Sequence, residues 1–432
     1  MIGGARGPQW GSRLGFLMAA IGSAVGLGNL WRFPFQAGEN GGGAFVLIYI
    51  LCVFLIGYPV LVAELAIGRH KGRSANGTAP DLPVDKGRAP NWQITGWFGL
   101  VAAVMILPSY SMISGQIMAY SAMSFIGDLG GKGTSSLYDG TLAPMLWFTV
   151  FVAITTAIVL RGLNKGIEAA SVFLMPMFFL LLVSLAAFAL FSGAASEALT
   201  YLFTPRFDEI TPDVVLAALG QALFSLGLGA ALMITFGLFL PNDENITSNA
   251  TVIAGADTLV ALVAGLMIFP IVFAFGMNPA AGMGLIFETL PQFFAGMPFG
   301  NLIGGAFFFL AFIAALTSSI AILMVSRTVG VEQFGLSERN ATLLFGLLAW
   351  GGGFGLILID ELGSWLDWIV GSVVLPIGAL TAALLAGWVA PRSLMREELA
   401  QTSDWLFALW RGLIRYVIPL AIVAIFVTGL SR

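Results

Sequence analysis

Residues 22–34 read GSAVGLGNLWRFP. The stretch lies in an apolar run that opens near Phe16. Three glycines, an asparagine, an arginine and a proline are poor material for an unbroken membrane helix, since one interior glycine costs about 1 kcal/mol relative to alanine. A second stretch answers it. QALFSLGLGAALM, 221–233, carries Gly227-Leu228-Gly229 as the first carries Gly26-Leu27-Gly28. Small residues also let membrane helices pack closely, and one GLG alone is open to that reading. Two at corresponding places in two halves point instead to a pair of discontinuous helices.

The rest of the 432-residue chain supports a membrane setting. It is 58% hydrophobic and 10% charged, with mean hydropathy +0.93, whereas soluble domains are about 25% charged. Spanning segments must satisfy their own backbone, so the apolar runs are helices, and they are too long for the strands of a membrane barrel. The first run shows no small-residue cleavage pattern, so no cleavable signal is expected. The apolar runs predict eleven spans, at 12–36, 42–69, 92–126, 142–161, 166–192, 213–239, 251–276, 301–331, 338–358, 363–390 and 404–430. Pro and Gly interrupt 279–297 too often for a span, which predicts a capping loop with a short helix. With the N-terminus cytoplasmic, 15 of the 19 lysines and arginines fall inside, as the positive-inside rule requires. The loop PNDENITSN, 241–249, departs from it, being on the inner side with acids and no base.

Cys52 is the only cysteine and His70 the only histidine. Intrachain disulfides are excluded, and no metal-cluster spacing or nucleophile–base pair appears, so no enzyme is expected. The buried polar residues carry the function instead, because ionisable groups are costly in the bilayer. Arg32 follows the first break, and Asp367 near the outer end of the tenth span is its natural partner; the alternative is that both simply sit at the interface. Glu64, in VAELAIGR, suits a buried hydrogen-bond network. Asp257 lies well inside the seventh span, where a bound cation would offset its cost. Thr317, Ser318 and Ser319 bring hydroxyls to mid-span; bonding back to their own helix is the ordinary role, while hard oxygen ligands are what Na⁺ needs. Tyr110 adds one hydroxyl to an apolar span. At the breaks, half-helix N-termini favour an anion and freed carbonyls a cation, so a zwitterion plus Na⁺ suits the device.

These residues carry a family resemblance. WGSRLGFLMAAIGSAVGLGNLWRFPFQAGENGGGAF, 10–45, resembles the opening of the neurotransmitter:sodium symporters. The likeness continues through AELAIGR, RGLNKGIE (161–168), GQALFSLGLG, DTLVALVAGLMIFP and LTSSIAI. The bacterial amino-acid branch, including the leucine transporter, is similar throughout. The resemblance implies an all-α membrane fold of about 11 helices. Two inverted five-helix repeats (12–192 and 213–390), with helices 1 and 6 discontinuous, precede an additional helix at 404–430.

It also implies the ligands. Sodium site 1 would use Ala24, Asn29, Ser225 and Asp257, where many relatives have asparagine. Sodium site 2 would use Gly22, Val25, Ala314, Thr317 and Ser318. A substrate carboxylate would meet the N–H groups of Leu27 and Gly28 and the hydroxyl of Tyr110. Its ammonium would meet carbonyls of Ala24, Phe224 and Ser225, with Phe224 as the aromatic lid. Ile106, Gly227, Ala230, Ser318 and Ile322 would line the pocket. Gly227 and Ala230 are small for the family, which points to a large hydrophobic or aromatic amino acid. Gly26 stands where amine carriers have aspartate, so an α-amino acid is favoured. Asp257 supplies the charge for which animal members need chloride, so no chloride is expected. Arg32 and Asp367 would form the outer gate, and Arg6, Trp10 and Glu332 the inner one; Phe239 replaces a gate-supporting tyrosine. The implied function is sodium-coupled amino-acid symport by alternating access in a bacterial cytoplasmic membrane. Its partners are a small amino acid and the lipid bilayer, with no nucleic acid. The alternatives are a proton-coupled carrier using Asp257 or Glu64, and a non-transporting receptor or leak channel.

Overall fold

Helix starts are written locally. Ser12, Thr211, Asn245 and Ser337 each turn a side-chain oxygen onto the backbone N–H three residues on, satisfying a donor that the first turn leaves free. The computed structural model describes residues 8–70, 83–84, 87–88, 90–127, 140–276, 287 and 290–430. The first span is a bent pair, α1 (Arg13–Ala24) and α2 (Gly28–Glu39), meeting at 50°. Then come α3 (Gly43–Arg69), α4 (Ile94–Phe125), α5 (Leu142–Leu160) and α6 (Leu163–Phe191). A second interrupted pair follows, α7 (Pro212–Ser225) and α8 (Leu232–Leu238). Long helices complete the bundle: α9 (Ile246–Ala274), α10 (Gly300–Phe334), α11 (Glu338–Leu358), α12 (Leu362–Val389) and α13 (Asp404–Thr428). Among the described residues nine helices are long and apolar enough to cross a membrane, or ten counting the bent pair as one. The two-residue strands Pro83–Val84 and Gly87–Arg88 pair antiparallel before α4.

The expected spans fall on these helices within a few residues, and both breaks fall at the glycines. Val25 leaves α1 in an extended conformation. Residues 226–231 separate α7 from α8, with Gly227, Gly229 and Ala231 at φ +64°, +86° and +54°. Left-handed backbone cannot continue a right-handed helix. Within 279–297, the short helix Leu290–Gly296 is present and most of the remainder lies outside the described residues.

The core is built around α10, buried through most of its length and packed on α4, α6, α11 and α1. The half-helix α8 packs on α3, and α7 packs on the start of the same helix. Gly229 explains how the second break is held. A β-carbon there would lie 2.1 Å from the carbonyl oxygen of Leu375 in α12. Its N–H donates to Glu64 Oε1 at 2.8 Å, and Glu64 is fully buried. The expected structural network at Glu64 is therefore the clamp on the α7–α8 break.

The acidic loop 241–249 is matched by cations from other elements. Arg13 Nε lies 3.5 Å from Glu244 and donates to Asn249 at 2.9 Å. Arg69 donates to the Glu244 carbonyl and, at 2.8 Å, to Glu398 Oε2. His70 Nδ1 is 3.1 Å from the other oxygen of Glu398. Burial works to raise the Glu398 carboxyl, but hydrogen bonds from His70 and Arg69 and the charge on Arg69 outweigh it and hold the group below the usual carboxylate range. This latch ties the end of α3 and the α8–α9 loop to the short helix Arg392–Glu398.

Candidate functional site

The break between α1 and α2 leaves carbonyls at the end of one half-helix and N–H groups at the start of the other without intrahelical partners. Gly22, Ala24 and Val25 stand at the carbonyl end, and Leu27, Gly28 and Asn29 at the amide end. Both face the middle of the bundle, and all six residues are buried.

Asn29, Ser225 and Asp257 come from three helices to one point. Asn29 Nδ2 donates to Asp257 Oδ1 at 2.8 Å, to the Asp257 carbonyl at 3.0 Å and to Ser225 Oγ at 3.1 Å. Ser225 Oγ donates to Asp257 Oδ2 at 2.6 Å, and Tyr49 OH reaches the same oxygen at 3.5 Å. Asn29 Oδ1 accepts from the Gly26 N–H at 3.2 Å, folding the side chain back across the break. Asp257 and Asn29 have no exposure. Among the described residues no lysine or arginine pairs with Asp257. A dry carboxylate with neutral oxygens around it and no basic partner is a place for a small hard cation. Among the described residues there is also no group of three His, Cys, Asp or Glu side chains able to hold a metal.

A second cluster lies one turn earlier. Ser318 Oγ donates to the carbonyls of Gly22 and Ser23 at 3.4 and 3.3 Å. Thr317 Oγ1 bonds back to the carbonyls of Ile313 and Ala314, both at 3.1 Å. Gly22 lies against Thr317, since a β-carbon on it would be 3.0 Å from Thr317 Cβ. Four of the five residues expected at the second sodium position, Gly22, Ala314, Thr317 and Ser318, are thus joined by these contacts. Val25 follows Gly22 where α1 ends.

Between the clusters, Tyr110 OH accepts the Leu27 N–H at 3.3 Å. A β-carbon on Gly26 would lie 2.8 Å from Ser318 Oγ and 2.9 Å from Tyr110 OH. One on Gly28 would lie 3.0 Å from the Phe224 ring. Tyr110, Ser318 and Phe224 therefore ring the first break. Ile106, Ile322 and Ala230 join the same apolar core. At Gly227 a β-carbon would be 2.7 Å from Leu232 Cδ1, so Leu232 takes part of the room that this glycine leaves.

At one end of the bundle a cavity of about 320 Å³ opens above Phe224, lined by Arg32, Gln36, Asp367 and Trp368 among others. The Arg32 guanidinium lies 4.1 Å from the centroid of the Phe224 ring. Arg32 and Asp367 share this cavity but form no ion pair, and Asp367 is exposed. At the other end Trp10 is buried, stacks on Phe236 with centroids 5.3 Å apart, and donates from Nε1 to the Phe236 carbonyl at 3.1 Å. Its backbone N–H reaches the Phe239 carbonyl at 3.2 Å. Glu332 is exposed near the end of α10, and Arg6 lies outside the described residues. Arg327 forms an ion pair with Glu338 in this region.

Sequence reasoning missed three contributors. Tyr49 reaches Asp257, and Gln221 Nε2 donates to the Gly28 carbonyl at 3.1 Å. Glu168 accepts from Gly11 N at 2.8 Å and from Ser12 Oγ at 3.0 Å, tethering the approach to α1 onto α6. Tyr49 and Gln221 are polar side chains in an apolar context, the signal that singled out Tyr110, whereas Glu168 closes the polar stretch RGLNKGIE.

The geometry has counterparts among known proteins. A family model described as the sodium:neurotransmitter symporter family matches residues 7–141 and 138–432. YhdH of Bacillus subtilis, described as an uncharacterized sodium-dependent transporter, is 36% identical over 97% of this chain and 96% of its own length. A sodium-dependent nutrient amino acid transporter 1 of Drosophila grimshawi is 25% identical over 97% of this chain and 76% of its own. The crystal structure of MhsT in complex with L-phenylalanine matches with a TM-score of 0.89 at 36% identity, covering 98% of this chain and 100% of that one. Two helices broken at paired glycines around a buried Asn–Ser–Asp cluster are thus set in a fold shared over nearly the whole chain: the protein belongs to the sodium:neurotransmitter symporter family.

Proposed function

We propose that the protein imports a large hydrophobic or aromatic α-amino acid together with Na⁺, by alternating access. The observation that carries this reading is Asp257, fully buried, joined to Asn29 and Ser225 and, among the described residues, without a basic partner. Na⁺ at this point neutralises the carboxylate. Its entry requires Asn29 to turn Oδ1 toward the ion, which releases the Gly26 N–H that this oxygen now accepts. Ion binding and the shape of the α1–α2 break are thereby linked. The second Na⁺ takes carbonyls of Gly22, Val25 and Ala314 with the hydroxyls of Thr317 and Ser318.

The substrate carboxylate takes the N–H groups of Leu27 and Gly28 and the Tyr110 hydroxyl, displacing the Leu27–Tyr110 bond. Its ammonium takes carbonyls of Ala24, Phe224 and Ser225. The side chain lies toward Ile106, Gly227, Ala230 and Ile322. The small residues at 227 and 230, and the phenylalanine bound to MhsT, support a large side chain. Chloride is not needed, because Asp257 already supplies the negative charge.

Phe224, capped by Arg32, closes the path from the outer cavity, and approach of Arg32 to Asp367 completes that closure. Trp10 on Phe236 holds the inner path until α1 moves. The concentration of basic residues at the Trp10 end supports a cytoplasmic N-terminus, and the bacterial relatives support a bacterial inner membrane. The two five-helix halves, 12–192 and 213–390, act as inverted repeats, with α13 outside them. Each Na⁺ entering down a 100 mV potential contributes about 2.3 kcal/mol to accumulation. The test is thermal stabilisation of purified protein by each amino acid, with Na⁺ and with choline. Stabilisation by L-phenylalanine and its bulky apolar analogues in Na⁺ alone is expected. Equal stabilisation in choline contradicts the ion coupling.

A further inference from the structure

Three arginines gather where α12 passes into α13, and nothing described above uses them. Arg392 opens the short helix Arg392–Glu398 and is exposed, while Arg411 and Arg415 lie one turn apart on α13. Arg411 feels the like charge of both Arg415 and Arg392. Among the described residues no carboxylate comes within ion-pair distance of any of the three. Arg396 nearby shows the contrast, being paired with Asp404 at 2.8 Å. Nη1 of Arg411 and Nε of Arg415 are buried and donate to nothing. Gathered cations with buried, unused donors are unfavourable unless an anion completes them.

The surroundings fix the cluster in place. Both helices carry a widened turn here, Leu385–Val389 and Leu413–Val417, and the two turns touch. Gly387 gives Arg415 room to cross: a β-carbon on it would lie 3.1 Å from Arg415 Cγ. The Arg415 guanidinium rests 4.4 Å from the centroid of the Trp388 ring, and Trp388 Nε1 donates to the Arg415 carbonyl at 2.9 Å. Trp388 and Tyr416, the rings beside it, are 52% and 56% exposed. Exposed aromatic rings of this kind collect at the level of lipid headgroups.

Guanidinium forks match phosphate oxygens, and basic pockets between membrane helices take anionic headgroups. We propose that Arg392, Arg411 and Arg415 bind the phosphate of an anionic phospholipid in the cleft between α12 and α13. Free phosphate shares this chemistry. The lipid is favoured because the exposed rings of Trp388 and Tyr416 beside Arg415 suit acyl chains rather than water.

The test is native mass spectrometry of the full chain, taken from mixed phosphatidylglycerol and phosphatidylcholine vesicles. The wild type is expected to retain phosphatidylglycerol over phosphatidylcholine. Each arginine replaced should weaken that preference about fivefold, the worth of one basic residue at an anionic surface. Arg411→Gln with Arg415→Gln should therefore lose most of it, and the lysine pair at the same positions should regain part. Arg392→Gln, at an exposed position, tests the site even where the double variant fails to fold. Retention unchanged in Arg392→Gln and in the folded double variant overturns the proposal, as does absence of any preference in the wild type. In a parallel arm, inorganic phosphate should leave the bound phosphatidylglycerol in place. Full displacement by phosphate overturns the lipid assignment in favour of the free anion.

Discussion

Asp257 could be singled out from the sequence because a carboxylate deep in an apolar span needs a reason. Asn29 and Ser225 join it only through the family resemblance, and Tyr49 not at all: it is 208 residues away along the chain, and one hydroxyl in an apolar run carries no mark of the partner that folding brings to it. Asp367 suggests itself as the partner of Arg32, yet the two share the outer cavity without forming an ion pair. Replacing Asp257 by alanine should weaken Na⁺-dependent substrate binding roughly ten- to a hundredfold, the worth of hydrogen bonds to a charged group; Na⁺ titrations followed by thermal shift measure it. Full retention of Na⁺ dependence would remove Asp257 from the ion site. Tyr110→Phe should raise the KM for the amino acid about tenfold while leaving Na⁺ affinity near that of the wild type, as read in uptake assays at saturating Na⁺. A KM unchanged in this variant would place the substrate carboxylate elsewhere.

The helices themselves were legible, because hydropathy marks length and glycine marks interruption. Both breaks fall where the paired GLG motifs stand. Less legible was how a break is held, since that depends on elements far apart. Gly229 meets the α12 backbone at Leu375 and is held by Glu64 of α3. Its φ of +86° suits glycine alone. Gly229→Ala should therefore lower stability by about 1–3 kcal/mol or more, seen as an earlier thermal unfolding midpoint in detergent. An unchanged midpoint would mean that the α7–α8 loop relaxes freely. The acidic loop 241–249 broke the charge rule for a reason visible only in three dimensions: Arg13 and Arg69 reach it from α1 and α3.

At the scale of the whole molecule, function requires the two ends of the bundle to open in turn. The latch of Arg69, His70 and Glu398 lies at the Trp10 end and has a testable pH signature. Glu398 is held below its ordinary range, so its contribution is complete above the unfolded glutamate value of about 4.3 and is lost as pH falls through the lower folded value. Thermal midpoints measured from pH 7 downward should fall more steeply below about pH 4.3 in the wild type than in Glu398→Gln; parallel curves would mean that the latch adds no stability. Na⁺-driven concentration of an amino acid is measured by uptake of labelled L-phenylalanine into proteoliposomes under an inward Na⁺ gradient. Accumulation above the external concentration is expected. That accumulation should be abolished when choline replaces Na⁺ and persist when gluconate replaces chloride. Uptake that survives in choline and collapses with a protonophore would contradict it.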